Sequence, residues 1–146
     1  EQLAVVAVFT LSFMVLRSYT GGYHSDSRIF CYLGSNLVLL VPVYTQAVFY
    51  KTSLAWLLAV LLVSAGIIFL LSPMHSKNRK LDKEEQKHFG RKARLIAALE
   101  LAVLGILWHA GQIPYAYAVY TGICITALFM LIGKAQLWIQ SHTENR

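Results

Sequence analysis

The sequence predicts an all-α, polytopic membrane helical bundle with five apolar spans, on three observations. Hydrophobic residues make up 57% of the 146 and charged residues only 14%, against about 25% charged in a soluble domain. The charge deficit is gathered into long stretches, which points to the bilayer as solvent, and the mean hydropathy is +0.54. The remaining basic residues cluster in alternate gaps between those stretches, as serial threading through a membrane requires.

The first stretch, residues 3–16, is short for a span of about 20 residues. It lacks the basic leader and cleavage site of a signal peptide, and the chain opens on Glu1, not Met, which reads as a fragment or a processed product. The second stretch, 29–50, contains Pro42, a residue that transmembrane helices tolerate. The third, 54–72, is closed by Pro73; the fourth covers 93–111 and the fifth 113–132 or slightly beyond. At about 1.5 Å per residue, each of the last four can cross a hydrocarbon core of about 30 Å. Tyr44, Phe49, Tyr50, Trp56, Trp108, Tyr115, Tyr117, Tyr120 and Trp138 lie mostly towards stretch ends, as an interfacial belt would.

The gaps set an orientation. Arg17 and Arg28 border the first and Lys51 alone marks the second. The third, a loop over residues 74–92, carries Lys77, Arg79, Lys80, Lys83, Lys87, Arg91 and Lys92. The link near Gln112 and Pro114 has no basic residue, and the tail has Lys134 and Arg146. The excess of positive charge therefore predicts that the first gap, the basic loop and the C-terminus are cytoplasmic.

Reactive chemistry concentrates in residues 17–31, RSYTGGYHSDSRIFC. Gly21 and Gly22 predict a tight turn that side chains would obstruct. Ser25, Asp26 and Ser27 are each good N-caps for a helix, which places Cys31 in its first or second turn, where free amides and the helix dipole favour a thiolate. An imidazole at His24 suits the general base of a cysteine peptidase, with Cys31 as nucleophile. On one continuous helix, seven steps would hold these residues about 10 Å apart along the axis, beyond the roughly 3 Å that proton transfer needs. His24 is therefore expected outside the helix, folded over its first turn. The free amides of that turn are candidate donors to the oxyanion. Asp26 and Ser27 are candidates to orient His24, or simply cap the helix. The bland alternative is a core cysteine beside an interfacial histidine.

The pattern R-x3-GG-x-H-x6-C, carried by Arg17, Gly21, Gly22, His24 and Cys31, resembles the accessory gene regulator B (AgrB) family. The later segment SPMHSKNRKLDKEE is similar to that family's second landmark, a proline after a span followed by a Lys/Arg-rich segment, although Met74 and His75 stand where an acidic residue is common. The resemblance implies a multi-pass cysteine endopeptidase of the bacterial cell membrane. Such an enzyme cleaves a short membrane-associated precursor of an autoinducing peptide for quorum sensing, through an acyl-thioester that a side chain of the peptide then releases as a ring. It implies one integral membrane peptidase domain over residues 1–146, lacking its N-terminal part, with His24 and Cys31 catalytic and a homodimer as the assembly. Arg17 has two open readings: it holds a precursor carboxylate or braces the loop, or it anchors at headgroup level. The basic loop also has two: attraction to anionic lipid, or docking of an acidic precursor segment through Lys77, Arg79 and Lys80.

Elsewhere, Glu100 and His109 lie within the fourth stretch, and an ionisable group there is a functional suspect. Glu100 is expected to pair with a polar group on a neighbouring helix, or to be protonated. Cys124 is expected to be a small buried residue. No zinc, nucleotide or dinucleotide motif is present, so no cofactor or metal is expected, and no nucleic acid is implied. The rival reading is a non-enzymatic polytopic membrane protein, such as a small transporter or export subunit, with Glu100 and His109 in its pathway.

Overall fold

The computed structural model describes residues 2–20, 28–73 and 82–143, with the side chains of 28–36, 140 and 143 left aside. Five helices follow in order: α1 (Gln2–Thr20), α2 (Arg28–Lys51), α3 (Leu54–Leu71), α4 (Lys83–His109) and α5 (Ile113–Thr143). Among the described residues there is no strand, so the fold is all-α. Three helices, α1, α3 and α5, are long and apolar enough to cross a membrane, and 37–51 of α2 forms a shorter apolar helix.

Three of the predicted boundaries move. Charge set the end of the first stretch at residue 16, yet α1 continues to Thr20. Arg17 rests on aromatic rings, Ser18 Oγ donates to the Met14 carbonyl at 2.7 Å, and Thr20 is buried. The basic loop expected over 74–92 is helical from Lys83 onward. Lys, Glu, Gln and Arg are good helix formers that a hydropathy criterion discards, and Glu84 and Glu85 in the first turn complement the helix dipole. At the far end, α5 runs on to Thr143.

The bundle is organised around α5, which packs against all four other helices. Ala116, Ala118, Gly122 and Ala127 on α5 are small and buried, which lets neighbouring backbones approach closely. The hydroxyls of Thr121 and Thr126 donate to the carbonyls of Tyr117 and Gly122, both at 2.8 Å, so neither is orphaned where water is absent. One core cluster joins Leu16, Leu61, Ile68, Ala97, Val119, Ile123 and Met130 across α1, α3, α4 and α5. A second joins Val5, Phe9, Val38, Phe49, Tyr117 and Ala118 across α1, α2 and α5. Exposed apolar side chains cover the outside, Leu3 at 84% and Leu70 at 82% among them, as a lipid-facing surface requires.

The aromatic residues divide. Trp56, Tyr44, Tyr50 and Trp138 are exposed, in keeping with a belt. Phe49, Tyr117 and Tyr120 are not in it: they pack together inside the bundle as tilted rings, with the Phe49 ring 4.9 Å from Tyr117 and 5.3 Å from Tyr120. End-of-stretch position in the sequence cannot separate an interfacial ring from one turned inward.

Both described connections are tight. Thr52 and Ser53 join α2 to α3. After α4, Gly111 adopts φ +73°, its N–H bonds the Trp108 carbonyl, and the Gln112 N–H reaches back to Leu107. That is a Schellman turn, whose left-handed position favours glycine. Pro114, second in α5, sits where a missing N–H costs nothing. Since Phe49 near the end of α2 meets Trp108 and Tyr117, both tight turns lie at one end of the bundle. The end of α1, the start of α2, the end of α3, the start of α4 and the end of α5 share the other.

Candidate functional site

Of the segment that the sequence singled out, the structure describes the two flanks, the end of α1 and the start of α2, which share one end of the bundle. Cys31 is the fourth residue of α2 as described, so its backbone lies in the opening turn; its side chain is outside the described part. His24, Gly21, Gly22, Lys77, Arg79 and Lys80 lie outside the described residues, as do Ser25, Asp26 and Ser27.

Arg17 is described, and it faces α5. Its guanidinium carbon lies 4.8 Å from the Phe129 ring centre and 5.8 Å from that of Phe13. Phe9, Phe13 and Arg17 follow at four-residue intervals, so all three share one face of α1. The Phe9 and Phe13 rings stack at 5.9 Å, and Phe13 meets Phe129 at 5.8 Å. A cation over aromatic faces in a partly desolvated seam contributes on the order of 1–2 kcal/mol.

Deeper in the bundle, Ser12 on α1 donates its hydroxyl to Glu100 Oε2 on α4 at 2.5 Å. Glu100 thus has the polar neighbour expected of it, on a helix 88 residues away in sequence. Gly122 on α5 completes the junction: a Cβ there would lie 2.6 Å from Ser12 Oγ. The carboxyl therefore sits where α1 and α4 meet beside α5, and only the smallest residue on α5 leaves room for its donor.

His109 ends α4 and is exposed. Nine residues separate it from Glu100, which on a helix is about 13.5 Å and half a revolution. The two groups point to opposite faces and form no common polar path along α4. Cys124, expected to be a small buried residue, is partly buried and lies beside the hydroxyls of Ser64 and Tyr120, so it is a packed thiol with polar neighbours. Among the described residues, no group of His, Cys, Asp and Glu could hold a metal ion.

One polar link was missed in the sequence. The Tyr117 hydroxyl donates to the Pro42 carbonyl at 2.8 Å and lies 2.5 Å from Thr45 Oγ1, tying α5 to α2 beside its internal proline. Pro42 was the available signal. A proline inside a helix disturbs the backbone ladder, so a polar group from a neighbour is to be looked for nearby.

Three helices rather than the expected five are long and apolar enough to cross a membrane, because the charged first turns of α4 and the polar residues of α2 dilute the hydropathy of those two. Five helices in serial antiparallel order define a polytopic helical membrane protein. The comparison with known families then narrows the class. The profile described as Accessory gene regulator B matches residues 1–132, and the chain belongs to that family. It is 26% identical over 121 residues to Accessory gene regulator protein B of Staphylococcus intermedius, a match covering 83% of this chain and 62% of that protein. The chain therefore spans less than two thirds of that relative's length. No solved structure matches it.

Proposed function

We propose that the chain is a membrane cysteine endopeptidase that processes a short autoinducing-peptide precursor for quorum sensing. The observation that carries this reading is the family match over residues 1–132, which runs through Arg17, Gly21, Gly22, His24 and Cys31 in the R-x3-GG-x-H-x6-C pattern. In the proposed mechanism, His24 takes the proton of the Cys31 thiol and the thiolate attacks a peptide carbonyl. The tetrahedral oxyanion is met by backbone amides in the opening turn of α2. The carbon–nitrogen bond then breaks, His24 returns the proton to the leaving amine, and the acyl group stays on Cys31 as a thioester. A thiol or hydroxyl within the peptide attacks that thioester, closing a thiolactone or lactone and freeing the Cys31 thiol. Exchange between thioesters is nearly neutral, and a tethered nucleophile has a high effective concentration.

Gly21 and Gly22 would turn the chain so that His24 reaches Cys31. Lys77, Arg79 and Lys80 would dock an acidic stretch of the precursor. Charge asymmetry supports a cytoplasmic side for this end of a cell-membrane bundle, and the family resemblance supports a homodimer.

The test is alkylation of Cys31 against Cys124 in membranes as a function of pH, for the wild type and for His24→Ala. Cys31 is expected to react with an apparent pKa well below the ~8.5 of a free thiol, moving back towards it without His24. Equal, slow reaction at both cysteines in both proteins would remove the dyad.

A further inference from the structure

Where α3 meets α4 at the chemistry-bearing end, a pocket of about 550 Å³ opens, with Ser72, Lys83, Lys87, Arg91 and Arg94 in its wall. Three features mark it as built for an anion. First, Lys83, Lys87, Gly90 and Arg94 follow at spacings of four, three and four, so α4 turns one face to it, and among the described residues its wall carries no carboxylate. Second, Arg94 is held in place. Pro73 has no N–H to give the Phe69 carbonyl at the end of α3, and Arg94 Nε supplies the donor at 3.2 Å. The guanidinium has further donors to offer. Third, Ser72 is 5% exposed and its hydroxyl has no hydrogen-bond partner among the described residues. A buried hydroxyl without a partner costs free energy that a bound acceptor would recover. Gly90 lets α4 close against this corner, since a Cβ there would lie 2.9 Å from Pro73 Cδ.

The position selects the kind of anion. The 18 residues of α3 rise about 27 Å, close to the roughly 30 Å of a hydrocarbon core, so Ser72 falls at the level of lipid phosphates. Leu70 lines the same pocket and is 82% exposed, and Leu62 and Val63 further along α3 are exposed too. Cationic donors thus sit directly above an unpartnered apolar surface. We propose that this pocket binds the phosphate headgroup of an anionic phospholipid, with the acyl chains lying along α3. The site is separate from the Cys31 chemistry and does not depend on it.

The test reconstitutes the full chain in nanodiscs of equal phosphatidylglycerol and phosphatidylcholine and counts retained lipid by native mass spectrometry. Wild type is expected to retain phosphatidylglycerol selectively. Lys87→Gln/Arg91→Gln should lower that retention about tenfold or more and Ser72→Ala about threefold, in line with the loss of charge-assisted and neutral hydrogen bonds. Lys87→Arg should keep it, and Lys134→Gln, a charge removed from α5, should leave it unchanged. These α4 positions are exposed, so the variants are expected to fold. Retention equal in the double variant and in Lys134→Gln overturns the proposal, as does retention without preference for the anionic lipid. Displacement of the lipid by millimolar inorganic phosphate or by an acidic peptide would instead assign the pocket to those ligands.

Discussion

Ser12, Glu100 and Gly122 come from three helices, and a change at any one should be felt through the other two. Ser12→Ala removes the donor to a half-buried carboxyl and is expected to destabilise the bundle by about 1–2 kcal/mol, read as a lower melting temperature in detergent. Gly122→Ala drives a methyl against Ser12 Oγ and should cost about 1–3 kcal/mol. Made together, the two should cost clearly less than their sum, because the serine oxygen is the closest atom to the new methyl. Strict additivity would mean that the Gly122 constraint lies elsewhere. Glu100 also separates the two functional readings. Glu100→Gln keeps an acceptor for Ser12 and should leave precursor cleavage intact, whereas Cys31→Ser should lower it by about 10³-fold or more. The reverse pattern would support the non-enzymatic membrane protein instead.

Among the elements, α4 and the turn after it are where sequence reasoning met its limit. The buried positions of α4 are Gly90, Ala93 and Ala97, small residues that give hydropathy little to register, while Lys83, Lys87 and Arg91 read as loop by charge alone. Their helicity comes from local propensity, which hydropathy does not register, while the seating of that helix on α3 comes from the fit of Gly90 against Pro73, a contact that no local pattern contains. The α4–α5 turn was easier to place, since a gap without charge before a proline marks a boundary. Its geometry needed the positive φ of Gly111. Gly111→Ala should cost about 1 kcal/mol or more, with little effect on Cys31 alkylation because the turn is at the opposite end. Loss of alkylation in that variant would mean that the two ends are conformationally linked.

For the whole molecule, helix number and class were legible because composition and the spacing of charge carry them. The pairing of helices was not. Nothing in the order of the stretches announces that Tyr117 would bond beside Pro42, or that Phe49 and Tyr120 would turn inward from stretch ends. The R-x3-GG-x-H-x6-C pattern was legible as chemistry, while the approach of His24 to Cys31 depends on residues outside the described part. Sidedness is directly testable. Single cysteines at Thr52 and Gln112 should label from one face of sealed vesicles, and one at His142 from the other. Labelling of all three from the same face would break the serial threading.

The placement of α5 also bears on how such a protein is made. The helix that all four others pack against is the last of the five to leave the ribosome. Until it arrives, α1 to α4 have their α5-facing surfaces open to lipid, to one another or to quality-control proteases. Synthesis halted before Ile113 should therefore yield a short-lived species, and expression of α5 as a separate polypeptide should prolong its lifetime. Assembly would then behave as a closing step, in which one late segment converts four waiting ones into a bundle.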